Sequence, residues 1–209
     1  MRYSEPMQRI VVGITGASGS IYGLRLVEEL LRAEKEVSLL LSSAGRQVLA
    51  YETGLQLDSH SENCAAQVRE YFSAGENLKY YGIDDFFAPV ASGSNAPDAV
   101  LICPCSMGTL GRIAAGLSDS LLERAADVAL KEKKTLLLVP RETPFNQIHL
   151  ENLLRVSKAG GQILPAMPAF YQKPQSVEEM VDFVVGKVLD HLGIEHKLFK
   201  RWGEDNPKS

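Results

Sequence analysis

Four short runs of mostly apolar residues, 9–15, 37–41, 99–103 and 135–139, alternate with stretches of helical periodicity, and this alternation constrains the fold more than any other feature of the chain. The runs keep no lasting polar face, so both sides of each strand must be covered. Between them, apolar residues recur every three or four positions. Leu24, Val27, Leu30 and Leu31 form one such stripe within residues 21–31. Val177, Met180, Val181, Val184, Val185, Val188, Leu189 and Leu192 form another near the C-terminus. The pattern predicts an α/β chain with a Rossmann-like three-layer fold, its mostly parallel sheet covered by helices on both faces.

Local signals place the remaining elements. Ser42 and Ser43 are natural caps for a helix over 44–53. Helices are expected over 106–115 and 119–131, the second capped by Ser118 or Asp119. A loop through Asn146 leads to a helix ending at Ala159, where Gly160-Gly161 supplies the left-handed stop. A further strand follows at 162–164, and Ser176-Val177-Glu178-Glu179 fits a capping box. Residues 54–97 are less regular, with a helix over 65–72, a short strand or turn over 84–89 and a polar loop at Ser92-Gly93-Ser94-Asn95. Neither a repeat nor a low-complexity tract divides the chain. Residues 1–209 therefore read as one domain with a C-terminal tail from about 193.

Composition narrows the function classes. With 209 residues, 45% of them hydrophobic, the chain can bury a substantial core. A net charge of −4 leaves no excess of cations for broad nucleic-acid binding. Cys64, Cys103 and Cys105 are too few for a disulfide scaffold. No apolar run approaches the roughly 18 residues of a membrane span. The charged start, residues 1–9, does not read as a signal peptide, and a cytoplasmic protein is expected.

Three loops carry chemistry-bearing residues. Gly13-Ile14-Thr15-Gly16-Ala17-Ser18-Gly19 leaves the first strand and enters the first helix, where exposed N–H groups and the helix dipole attract phosphate. It lacks the Gly-Lys-Ser/Thr of a P-loop. Nicotinamide binding fits poorly, because Leu41-Ser42-Ser43 offers no acid for an adenosine ribose, although Arg46 is placed to meet a 2′-phosphate. Cys103-Pro104-Cys105-Ser106 ends the central strand; its cysteines suit either a metal or plain burial, and Ser106 faces the presumed pocket. Arg141-Glu142-Thr143-Pro144 follows the 135–139 strand. Arg141 suits a phosphate and Glu142 a proton transfer, or the two form a solvated loop pair. Lys131 either joins the phosphate cluster or belongs to a wet helix end. The four histidines, His60, His149, His191 and His196, form no ligand pattern, and His149 suits a helix surface or a cap.

Taken together, eight blocks resemble the flavin prenyltransferase family, formerly described as aromatic-acid or polyprenyl-hydroxybenzoate decarboxylases. They are Thr15-Gly16-Ala17-Ser18-Gly19, Ile102-Cys103-Pro104-Cys105-Ser106, Leu122-Glu123-Arg124-Ala125-Ala126-Asp127 and Pro140-Arg141-Glu142-Thr143-Pro144-Phe145. His149-Leu150-Glu151-Asn152, Pro168-Ala169-Phe170-Tyr171, Pro174-Gln175-Ser176 and Arg201-Trp202-Gly203 complete the series. The resemblance implies that reduced FMN is prenylated at N5 and C6 by dimethylallyl phosphate, without metal, and that prenylated FMN passes to a separate decarboxylase. It implies an FMN site of Gly16, Ala17, Ser18, Ser42, Ser106, Met107, Gly108, Thr109, Arg124 and Arg141. Lys131, Arg141, Glu142, Tyr171 and Lys187 would hold the prenyl phosphate, and Glu142, Ser18 and Lys131 would carry the catalysis. Many members have arginine where this chain has Lys187, which keeps the charge but loses the two-pronged grip. A homododecamer is implied as well.

Two further readings stand beside this one. A related flavoprotein that decarboxylates a peptidyl or pantothenoyl cysteine needs an early histidine, and none precedes His60. A non-enzymatic FMN-binding partner would leave Arg141, Glu142 and Lys131 idle.

Overall fold

The computed structural model of the chain describes residues 8–58 and 61–202. The start of the chain, His60 and Gly203 lie outside the described residues. Among those described, six strands form one parallel sheet in the order β3-β2-β1-β4-β5-β6. At its centre β1 (Arg9–Ile14) pairs with β2 (Glu36–Leu41) on one side and β4 (Ala99–Cys105) on the other. Outward from these run β3 (Leu78–Tyr81), β5 (Thr135–Pro140) and the two-residue β6 (Gln162–Ile163). From β1 the chain winds outward through β2 and β3, then returns past β1 to β4 and winds the other way. The loops after β1 and β4 therefore part company at a topological switch point, where ligands collect in this architecture.

The sheet is the α/β arrangement the sequence predicts. The helices are α1 (Ser20–Arg32), α2 (Ser43–Thr53), α3 (Ser61–Phe72), α4 (Met107–Ala114), α5 (Leu121–Lys131), α6 (Gln147–Lys158) and α7 (Val177–His191). Two compact units are distinguished, Met1–Pro165, with the sheet and α1 to α6, and Ala166–Ser209, with α7. In the first unit, Val11, Val100, Ile102, Leu136 and Leu138 of the strands share a core with Leu110 and Ile113 of α4. Leu121, Leu122, Ala125, Ala126 and Ala129 of α5 belong to the same core. The three alanines are fully buried, and having only methyl side chains they let α5 lie close to the strands. Each fully buried leucine here contributes about 1.5–3 kcal/mol of transfer free energy.

Local details depart from the sequence-based expectation at several places. β3 was not foreseen: Leu78 and Tyr80 are buried while Lys79 and Tyr81 are half-buried, and only pairing with β2 defines so short an edge strand. Residues 84–89, expected as a short strand or turn, take the turn, Asp85 accepting the Phe87 N–H at 3.1 Å before a 3-10 turn at Pro89–Ala91. Gly93–Asn95, expected as loop, is likewise a 3-10 turn. The cap of α5 is Ser120 rather than Ser118 or Asp119, because Glu123 completes a capping box with it. At α7 only half of the expected box forms: Ser176 accepts the Glu179 N–H, but the Glu179 carboxylate takes the N–H of Gln175 at 2.7 Å.

Candidate functional site

Three strand ends meet at the switch point, and Thr15 fastens two of them. This buried residue donates its hydroxyl to the Pro104 carbonyl at 2.8 Å and accepts the Ser106 N–H at 2.8 Å. Its own N–H reaches the Pro104 carbonyl at 3.2 Å. The third end is tied in by the Arg141 N–H, which donates to the Cys105 carbonyl at 3.3 Å. The Cys103-Pro104 and Thr143-Pro144 peptides are cis.

Next to this knot lies a cavity of about 410 Å³ bordered by the first turns of α2, α4 and α5. Gly16, Ser42, Ser106, Gly108 and Thr109 line it, so the structure brings five of the expected flavin-binding residues together. Ser42 caps α2 by accepting the Gly45 N–H, and Ser106 caps α4 by accepting that of Thr109. Three helix N-termini at one hollow present backbone donors and positive dipole ends to an anion. Gly16 is held tightly: a Cβ there would stand 2.6 Å from that of Ala44. Ala17 and Met107, also expected in the flavin site, are buried beside these loops, whereas Ser18 is exposed.

The start of α1 differs from expectation. Its N–H groups were to attract phosphate, but the chain supplies its own anion. Glu52 of α2 accepts the Gly19 N–H at 3.0 Å and the Ser20 N–H at 2.8 Å, and also bonds the Ser18 hydroxyl. Partial burial opposes the charged form, yet these hydrogen bonds outweigh it and hold the Glu52 pKa below its ordinary 4.5. Sequence reasoning missed Glu52, which lies 33 residues from Gly19 along the chain. Gly19 itself adopts φ +105°, a left-handed geometry that favours glycine. Glu52→Gln should lower stability by about 1 kcal/mol, the usual worth of a helix cap, at neutral pH. Because the folded pKa is depressed, the wild-type advantage is complete above about pH 5 and fades as pH falls through the folded value. Denaturant melts of both proteins across pH 3–7 check this; a constant gap would contradict it.

The other expected site residues fall in three places. Arg141 is exposed beside the switch point, and Tyr22 of α1, half-buried, lies within its electrostatic reach. Burial pushes the Tyr22 phenol up, the Cys103 thiol adds to this, and Arg141 opposes both. Glu142 is half-buried and accepts the Thr143 N–H at 2.9 Å; no ion pair with Arg141 forms. Arg124 and Lys131 occupy α5 against residues 89–95. Arg124 donates to the Ala91 carbonyl at 3.0 Å and pairs with Asp127, and Lys131 pairs with Glu132 beside Gly93. Tyr171 and Lys187 belong to the second unit. Tyr171 packs edge-on against Trp202 and Phe183, and Lys187 lies 3.6 Å from Asp190, which also holds Arg201.

Several residues prove structural. Cys103 and Cys105 are fully buried, and desolvation pushes the Cys105 thiol up to about 12 and that of Cys103 well above its usual range. His149 caps α6, its ring accepting the Asn146 N–H within a capping box. Arg46 donates to the Leu57 and Asp58 carbonyls and to the Tyr80 hydroxyl. That commitment leaves it no fork for a 2′-phosphate, and the nicotinamide reading loses its one supporting residue.

Comparison with known proteins identifies the family. The chain matches the Flavoprotein family model over residues 1–189. It is 54% identical to the flavin prenyltransferase UbiX of Halalkalibacterium halodurans, over 93% of each chain. Among solved structures it is similar to AnUbiX in complex with FMN and dimethylallyl pyrophosphate, with a TM-score of 0.82 and 41% identity over 94% of this chain and 97% of that one. It is also similar to a dodecameric FMN-dependent UbiX-like decarboxylase from Escherichia coli O157:H7, with a TM-score of 0.81 and 39% identity over 93% and 99%.

Proposed function

The chain belongs to the flavoprotein family and, within it, to the flavin prenyltransferases, and from that premise we propose that it joins a dimethylallyl group to N5 and C6 of reduced FMN. Dimethylallyl phosphate is the donor and prenylated FMN the product. The observation that carries this reading is the 54% identity to a flavin prenyltransferase across 93% of both chains. The match over residues 1–189 runs through both compact units, which supports treating them as one flavoprotein domain.

The residues present suit FMN. The close packing of Gly16 on Ala44 keeps the floor of the cavity shallow, and the hydroxyls of Ser42, Ser106 and Thr109 with the N–H of Gly108 are donors for a phosphate and a ribityl chain. Ala17, Ser18, Met107, Arg124 and Arg141 complete the flavin set. When bound, the reduced flavin supplies the two nucleophilic positions. Arg141 meets the charge that grows on the donor phosphate as its C–O bond breaks, and the resemblance assigns Lys131, Tyr171 and Lys187 to the same donor. Forming the second bond requires one proton at the prenyl alkene and the loss of another from C6. Glu142 and Ser18 are assigned that traffic, and Glu52 fixes the Ser18 hydroxyl.

The protein assembles as a homododecamer and works in the cytoplasm. It hands its product to a prenylated-FMN-dependent decarboxylase, in ubiquinone biosynthesis or aromatic acid decarboxylation. Among the described residues no helix is long and apolar enough to cross a membrane. Incubation with reduced FMN and dimethylallyl phosphate under anaerobic conditions, without magnesium, should give a flavin heavier by one five-carbon unit on mass spectrometry. The pure protein should also bind FMN more tightly than FAD in a fluorescence titration. Inactivity with fully reduced FMN and this donor would overturn the assignment.

A further inference from the structure

We propose that Arg112, a residue outside the expected flavin set, selects phosphorylated over unphosphorylated flavin in the cavity beside Gly16. The inference rests on the reading of that cavity as the FMN site. Among the described residues that line it, Arg112 is the one cation, set against Asp84, Asp119 and Glu123.

The placement follows from helix periodicity. Arg112 stands four residues after Gly108 and three after Thr109, so all three share one face of α4. Helical side chains lean toward the N-terminus, which carries the guanidinium back over the first turn. There it meets no side chain at Gly108: Nη1 lies 3.8 Å from where a Cβ would stand. The Nε–H donates to the carboxylate of Glu123, which is 3% exposed. That carboxylate also accepts the N–H groups of Asp119 and Ser120, each at 3.1 Å. Its charge is thereby spent on holding Arg112 and capping α5, while the side chain of Arg112 stays 46% exposed at the cavity.

The electrostatic balance makes this residue decisive. Asp84 and Asp119 are exposed and screened by water, but neither welcomes a dianion. Without Arg112 a phosphate would face three acids with only neutral hydroxyls and backbone dipoles in its favour. With it, a charge-assisted hydrogen bond is available to the phosphate at the mouth of α4. A role limited to clamping α4 to α5 through Glu123 would affect every flavin alike. A phosphate contact affects only those that carry phosphate.

The experiment compares FMN with riboflavin, which is the same molecule without the phosphate, by fluorescence titration of the full chain. The wild type should prefer FMN. Arg112→Gln should weaken FMN binding about ten- to hundredfold and leave riboflavin binding unchanged. Arg112→Lys should fall between, keeping the charge and losing the fork. If Arg112→Gln does not fold because Glu123 is left unpaired, the double variant Arg112→Gln/Glu123→Gln removes both charges and should show the same selective loss. An unchanged FMN-to-riboflavin ratio in these variants, or equal weakening of both flavins, would overturn the proposal while sparing the function. A wild type that binds neither flavin would sink the flavin reading and this inference together.

Discussion

Glu142→Gln should reduce prenylation turnover by about a hundredfold or more while leaving the fold and FMN affinity nearly intact. The local structure supports the separation. Glu142 Oε1 accepts the Thr143 N–H at 2.9 Å, and the amide oxygen of glutamine can accept the same bond. The loop after β5, with Arg141 anchored through its N–H to the Cys105 carbonyl, therefore keeps its shape. What disappears is the second oxygen's ability to take or give a proton at working pH. Anaerobic single-turnover reactions with reduced FMN and dimethylallyl phosphate, quenched and analysed by mass spectrometry, measure the rate. Flavin fluorescence measures binding on the same samples. Undiminished turnover in the variant would remove Glu142 from proton transfer, although the assignment of the chain as a prenyltransferase would stand.

Much of the scaffold was legible because it depends on local pattern. The strand runs, the helix stripes and the cap Ser42 are each encoded within a few residues, and they place the cavity-lining loops at the switch point. What escaped the sequence depends on distant partners. Glu52 at the start of α1, Arg112 fixed by Glu123 and Thr15 joining two strand ends are ordinary residues until tertiary structure brings them to the site. β3 was lost for a related reason, since four alternating residues at a sheet edge carry little signal without β2 beside them. Arg46 went the opposite way. It looked available for a ligand phosphate, and the fold consumed it in bonds to Leu57, Asp58 and Tyr80.

Gly45→Ala should unsettle the site more than its single methyl suggests, and the reason lies in what that methyl would meet. Gly45 occupies the first turn of α2, where a Cβ would stand 2.3 Å from the Ile14 carbonyl oxygen, 2.9 Å from its carbon and 3.0 Å from Thr15 Cα. All three are backbone atoms, so no rotamer change can relieve the clash. Nor can the strand end retreat easily. The Ile14 carbonyl accepts the Ser42 N–H at 3.1 Å, and Thr15 is bound to Pro104 and Ser106. The first turn of α2 must withdraw instead, taking with it Ser42 and the packing of Ala44 on Gly16, two parts of the cavity wall. Overpacking of this kind costs about 1–3 kcal/mol or more, and each kcal/mol lowers Tm by about 2–4 °C in a chain of this size. FMN affinity should fall with it, because the displaced turn carries donors to the phosphate. Gly75→Ala is the matched control, its Cβ meeting nothing nearer than Asn77 Oδ1 at 3.8 Å. Thermal melts and FMN titrations of both variants decide the matter. Equal behaviour of Gly45→Ala and Gly75→Ala would show that α2 shifts at no cost and that its close approach to β1 does not shape the site.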